Sequence, residues 1–254
     1  MLKLKYFILA GFSLLLLAGC SKTDIESIVS NDESISAIVN SGTNNKYIVV
    51  LDEAVNTQVA LSERIDKVKG KAIGLLKKYN IDAETEETYQ SALNGFTVRL
   101  NKGQAKQLAD DPEVKIVEQD QFIVLSPINA NGKPAPTPVA QSIPWGITRV
   151  GGGGSASSTA TAWIIDSGID LDHPDLNVDV ARSRSFVTTS TTPDDQNGHG
   201  THVAGTIGAI NNTIGVVGVV PGVKLVSVRV LDRKGSGTTA GVIAGVDYVK
   251  ANGK

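Results

Sequence analysis

The chain has 254 residues, 41% of them hydrophobic and 20% charged, enough for one large domain or two smaller ones. A formal net charge of -2 lacks the basic surplus of a general nucleic-acid binder, so no nucleic-acid partner is expected. One cysteine, Cys20, excludes an intramolecular disulfide, and 26 glycines against 5% aromatics favour tight turns and close backbone packing over a bulky aromatic core.

Lys3 and Lys5 precede a nearly unbroken apolar run from Tyr6 to Ala18. The run falls short of the ~20 residues a membrane-spanning helix needs and fits the apolar region of a secretory signal peptide. Its end, Leu17-Ala18-Gly19-Cys20, resembles a bacterial lipobox. That resemblance implies a signal peptide over 1–20, lipidation at Cys20, and an exported bacterial lipoprotein, membrane-anchored through its N-terminal lipid or extracellular after processing. Residues 21–45 are rich in Ser, Asn, Asp and Glu without a sustained period and read as a flexible tether.

Residues 46–125 read as a small α+β domain. Lys46 to Leu51 is a β-rich run, and Val59 to Tyr79 carries Val59, Leu61, Ile65, Val68, Ile73, Leu75 and Leu76 at helical spacing. Strands are expected over Ile81 to Tyr89 and Gly95 to Leu100, around the turn signal Asn94-Gly95. A helix over Lys102 to Asp110 ends at Asp111-Pro112, and Val114 to Glu118 and Gln121 to Leu125 resume β character. Strand, helix, strand, strand, helix, strand is the ferredoxin-like order, which alone carries no activity. The segments Lys46 to Val50, Asn94-Gly95-Phe96 and Val114 to Asp120 resemble the inhibitor I9-type propeptide of subtilisins. Residues 126–139, rich in Pro, Asn and Gly, read as an exposed linker, where processing occurs most easily. By the same resemblance a maturation cut is expected near Leu125 or Ser126, or further along the linker.

The chemistry is expected in 140–254. A short strand, Ala162 to Ile165, runs into Asp166-Ser167-Gly168, where α/β sheets place their sites. A carboxylate desolvated there needs a cationic or hydrogen-donating partner. Asn197-Gly198-His199-Gly200-Thr201-His202 supplies one, with His199 at the start of a small-residue helix and able to act as a base near neutral pH. His199 and His202, three apart, could also bind a metal, but the zinc-protease pattern needs spacing four and a glutamate, and neither is present. His202 reads as a structural hydrogen-bonder, Ser167 as a turn residue, and His173 as a surface loop residue. Leu225 to Leu231 reads as a buried strand, Asp232 to Gly237 as a loop and Thr239 to Asn252 as a helix.

Asp166-Ser167-Gly168 and His199-Gly200-Thr201-His202-Val203-Ala204-Gly205 resemble the first two signature blocks of the subtilisin-like serine proteases (peptidase S8), in that family's chain order. The resemblance implies an α/β fold with a partial doubly wound parallel sheet behind the ferredoxin-like domain. It also implies a secreted serine endopeptidase precursor whose partners are protein or peptide substrates and its own propeptide. In it Asp166 and His199 are the catalytic orienter and base, and Gly235, Ser236 and Gly237 receive substrate as an added strand. A structural calcium ion is implied as well, held by the carbonyls of Ile210, Ile214 and Val216, the Asn212 side chain, Asp175 and Gln141.

The sequence departs from the family pattern at its end. No Gly-Thr-Ser-Met block follows, since Met1 is the only methionine, and no oxyanion asparagine strand follows. The expectation is a fragment, catalytically incomplete and inactive alone. The alternatives are a lipid-anchored protease inhibitor or folding helper acting through residues 46–125, and a degenerate calcium-binding structural protein.

Overall fold

Lys46–Leu51 (β1) buries side chains on both faces, the mark of a central strand. The computed structural model describes residues 45–125, 140–154 and 159–253, and places β1 in the middle of a four-stranded antiparallel sheet. Its neighbours are β3 (Gly95–Arg99) and β4 (Val114–Gln119), and β2 (Thr85–Tyr89) lies outside β3, giving the order β2-β3-β1-β4. Val49 and Leu51 point towards α1 (Leu61–Lys78) and α2 (Lys102–Ala109), where Val68, Ala72, Leu75, Leu76, Phe96 and Leu108 complete a core.

Two expectations shift here. The buried stripe of α1 is Val68, Ala72, Leu75 and Leu76, and Ile73 lies off it, 64% exposed. The strand expected from Ile81 begins only at Thr85. Asn80, in the left-handed region at φ 51°, ends α1, and Ile81 N–H turns back to Leu76 O at 2.8 Å. Helix α2 starts at a reciprocal cap between Asn101 and Gln104.

β5 (Phe122–Val124) does not extend that sheet. It pairs antiparallel with β9 (Ser236–Thr238), in the segment expected to be a loop. A short helix that the sequence pattern did not signal, α3 (Trp145–Arg149), follows residue 140.

The second half is built on three parallel strands in the order β6-β8-β7: β6 is Thr161–Asp166, β8 Lys224–Arg229 and β7 Arg184–Ser185. Alternation along β6 and β8 sends Ile164 and Leu225 to one face, under α4 (His199–Gly208). It sends Trp163, Ile165, Val226 and Val228 to the other, under α5 (Thr239–Asn252). Helices on both faces of parallel strands make the doubly wound arrangement.

The described residues form one compact unit, so the small sheet and the parallel sheet are packed together. The outer face of β1 and β2 meets α5: Ile48, Tyr89 and Ala240 form a buried cluster with Val50, Leu93, Ile243 and Ala244. Polar groups complete the joint. Asp120 Oδ1 accepts from Ala240 N–H at 2.8 Å and Gln121 O from Thr239 N–H at 2.9 Å, satisfying two orphan donors of the first turn of α5. From the other side, Asp247 Oδ1 accepts from the backbone N–H groups of Gln90, Ser91 and Ala92 at 3.1, 2.7 and 2.7 Å. Among the described residues no helix is long and apolar enough to cross a membrane. Cys20 lies outside the described residues.

Candidate active site

Asp166 is the last residue of β6, and its backbone pairs in register with Arg229 of β8. A strand end delivers the carboxylate to the tip of the sheet while the residue stays only 9% exposed. His199 is the first residue of α4, so its ring leaves the helix where no preceding turn covers it. The two meet: His199 Nδ1 lies 2.8 Å from both carboxylate oxygens of Asp166. A carboxylate only accepts, so this contact puts the ring proton on Nδ1 and leaves the Nε2 lone pair free. Ser167 N–H also donates to Asp166 Oδ1, at 2.7 Å. The approach demands small residues. A Cβ on Gly200 would sit 2.0 Å from Gly168 O, so only glycine lets α4 come this close to the end of β6.

Three residues around the pair, Ser167, Asp195 and Arg229, carried no functional weight in the sequence. Ser167, read as a turn residue, sits in the bend after β6 and is fully buried, and its Oγ donates to Asp195 Oδ1 at 2.9 Å. Asp195 also accepts from the N–H groups of Asn197, Gly198 and Thr201 and from Thr201 Oγ1 at 2.6 Å. Burial pushes the Asp195 carboxyl up, but the bonds from Gly198, Thr201 and Asn197 outweigh it and hold the group below the usual carboxylate range. An acid just ahead of a helix start was the available signal for it. Arg229, only 1% exposed, gives its guanidinium to Thr192 O, Asp194 O, Leu231 O and Gln196 Oε1, and so braces the loop that carries Asp195. No sequence signal separated it from the apolar residues of its strand. His202 is exposed, and His173 is half-buried, with its Nδ1 accepting from Asp175 N–H at 3.2 Å.

Asn197, two residues ahead of His199, reaches the segment that holds Gly235, Ser236 and Gly237: a Cβ on Gly235 would stand 3.5 Å from Asn197 Nδ2. β9 takes β5 as an antiparallel partner in the register Phe122 to Thr238, Ile123 to Gly237 and Val124 to Ser236. Leu125 N–H continues the ladder to Gly235 O at 2.9 Å, and Asn197 Nδ2 donates to Arg233 O at 3.2 Å. The segment implied to receive a substrate strand therefore holds the tail of the first half of the chain.

The six residues implied as calcium ligands come together at the far end of α4. Gln141 Nε2 lies 2.8 Å from Ile210 O, 3.1 Å from Asn212 Oδ1, 3.1 Å from Ile214 O and 3.4 Å from Val216 O. Asn212 Nδ2 donates to the buried Asp175 at 2.7 Å. One amide nitrogen has two protons, yet four oxygens converge on it. Such a ring of oxygens is the donor set a hard cation takes, and reversing the Gln141 amide would add a fifth oxygen. Gly215 has φ 63°, and a Cβ there would stand 2.7 Å from Asp175 Oδ2. The residues present fit a calcium ion.

Comparison with known proteins bears on both halves. A model of the subtilase family matches residues 157–254, and a model of peptidase inhibitor I9 matches residues 46–126. Subtilisin E of Bacillus subtilis and subtilisin J of Geobacillus stearothermophilus are each 33% identical over 236 residues, covering 91% of this chain and 55% of theirs. An alkaline protease of Shouchella clausii is 34% identical over 219 residues, covering 82% of this chain and 51% of its own. The chain spans about half the length of these curated relatives. The two matched segments are in the order of a precursor: the chain carries a subtilisin-like S8 peptidase region with an inhibitor I9 propeptide region ahead of it, consistent with part of an S8 precursor.

Proposed function

We propose that the chain is the front of a secreted subtilisin-like endopeptidase precursor, in which His199 is the general base and Asp166 orients it. The 2.8 Å contact between His199 Nδ1 and Asp166 at the tip of the parallel sheet carries the reading. With Nδ1 committed, Nε2 can take the proton of an attacking hydroxyl and pass it to the leaving amine, while Asp166 stabilises the imidazolium. The buried hydroxyls nearest the pair are spent elsewhere: Ser167 donates to Asp195, and Ser227 to Pro193 O at 2.7 Å. The nucleophile and the oxyanion donors are therefore assigned to the part of the relatives' length that this chain does not span.

Gly235, Ser236 and Gly237 are proposed to bind substrate as an added strand, in the register that β5 takes here, with cleavage near Leu125 or Ser126, or further along the 126–139 linker, freeing the first half as an inhibitory propeptide. The oxygen ring of Ile210, Asn212, Ile214, Val216, Asp175 and Gln141 is proposed to hold calcium, which would cross-link the 210–216 loop to residue 141 and stiffen the end of α4. Lipidation of Cys20, and with it attachment to a bacterial membrane, is proposed from the Leu17-Ala18-Gly19-Cys20 motif alone.

The test is a chimera joining residues 1–254 to the remaining half of a curated relative. Peptide hydrolysis sensitive to serine-directed phosphonates is expected, and it should vanish in His199→Ala and fall steeply in Asp166→Ala. Hydrolysis that survives His199→Ala would remove the reading. The β5–β9 pairing also supports a second reading, an inhibitor acting through residues 46–125. It is tested by adding the purified chain to an active subtilisin, where the absence of inhibition at micromolar concentration rejects it.

A further inference from the structure

We propose that Asp195 is the centre of a two-hydroxyl clasp that sets the angle at which His199 meets Asp166, with Ser167 and Thr201 as its arms. The proposal rests on the reading of His199 and Asp166 as base and orienter. A single hydrogen bond leaves a helix free to pivot about it. Here the end of β6 and the start of α4 are tied three times. The first tie is His199 Nδ1 to Asp166 at 2.8 Å. In the second, Ser167 Oγ accepts from Gly200 N–H at 3.0 Å and donates to Asp195 Oδ1 at 2.9 Å. The third runs in the opposite sense: Thr201 Oγ1, on the helix, accepts from Asp170 N–H at 2.9 Å and donates to Asp195 Oδ2 at 2.6 Å. Each hydroxyl has one proton, and both protons go to the same carboxylate, one to each oxygen. That fixes both rotors and points both hydroxyl lone pairs at the backbone they must receive.

Asp195 does not depend on the pair for its own place. Its N–H donates to Ile169 O at 3.1 Å, and the loop around it is held to β8 by Ser227 Oγ on Pro193 O and by Arg229 on Thr192 O and Asp194 O. A group held by the sheet that holds both partners of the pair is placed to position them. A carboxylate suits this task because it accepts five donors and presents none. An amide in its place would aim a donor at one hydroxyl.

The test reads the imidazole in the full chain by nitrogen and proton NMR, which follows neither overall stability nor hydrolysis. In the wild type, neutral His199 should carry its proton on Nδ1, in slow exchange with solvent. Ser167→Ala, Thr201→Val and Asp195→Asn, each checked for a dispersed spectrum, should admit the Nε2–H tautomer and speed exchange of the Nδ1 proton about tenfold, the scale of one lost hydrogen bond. Ser167→Ala should add little in the Asp195→Asn background, because the serine acts through the carboxylate. Folded variants with the wild-type tautomer and exchange rate would overturn the proposal. A wild type without the Nδ1–H tautomer would instead overturn the base-and-orienter reading beneath it. If a variant does not fold, the wild type still decides. The Ser167 hydroxyl proton must be visible close to Gly200 N–H with a single χ1 rotamer, and a freely rotating hydroxyl removes the clasp.

Discussion

Replacing Asp247 tests how firmly the two halves are joined. Its carboxylate is 4% exposed and one oxygen receives three backbone N–H groups, at 3.1, 2.7 and 2.7 Å from Gln90, Ser91 and Ala92. Hydrogen bonds to a charged group contribute about 1.5–3 kcal/mol each, but three sharing one oxygen do not add in full. Two of the donors are only partly buried and can find water once the carboxylate is gone, whereas the bond at Ser91 is buried. Asp247→Ala should therefore cost about 3 kcal/mol, and Asp247→Asn, which can keep a neutral oxygen in place, about half of that. Urea unfolding of the whole chain measures the loss, and amide hydrogen exchange localises it to residues 90–92. A loss under about 1 kcal/mol, with those three amides still protected, would refute the reasoning, because it would mean the loop is held by something other than Asp247.

Two glycines five residues apart on α4 should behave oppositely. Gly200→Ala drives a methyl to 2.0 Å from Gly168 O and should destabilise by about 3 kcal/mol or more, with loss of the His199–Asp166 contact, whereas Gly205→Ala meets nothing within 4 Å and should stabilise by about 0.5–1 kcal/mol. Thermal unfolding of both variants checks the pair. Acid titration should reveal Asp195. Its pKa lies below the ordinary 3.8, so its contribution is complete above that value and is lost as pH falls through the depressed one; Asp195→Asn should flatten the stability profile below about pH 4. Calcium should raise the unfolding temperature, by an amount equivalent to about 2.7 kcal/mol at a hundredfold excess over its dissociation constant, and Asn212→Ala should abolish the rise. An unchanged melting curve in calcium would remove the assignment of that oxygen ring.

The partnership of Asp166 and His199 could be read from the sequence because each sits in a run whose local chemistry is self-evident. One is a carboxylate at the end of an apolar strand, and the other an imidazole at the head of a helix made of small residues. The ferredoxin-like order was legible for a similar reason, since turns and caps punctuate it. Asp195 was not, because its importance comes from partners on three elements, Ser167, Thr201 and the loop tied to β8. Arg229 was hidden differently: it lies in a run read as one buried strand, and only the ring of carbonyls around its guanidinium shows what its charge does there. Ile73 was over-read, since its neighbours Ala72 and Leu76 define the buried stripe and leave it outside. β9 was read as a loop because three residues carry too little pattern to declare a strand. Its ladder exists only because Phe122–Val124 arrives to pair with it.

That ladder has a consequence for any other peptide. Main-chain pairing is indifferent to side chains, so a newcomer to Ser236–Thr238 meets an occupant that needs no particular sequence to stay. A segment tethered within the same polypeptide is present locally at about millimolar concentration, whatever the dilution outside. Diluting the protein will not clear the berth; only severing the tether makes occupancy depend on concentration, with the Ile48–Tyr89–Ala240 cluster and the Asp247 bonds still holding the severed half.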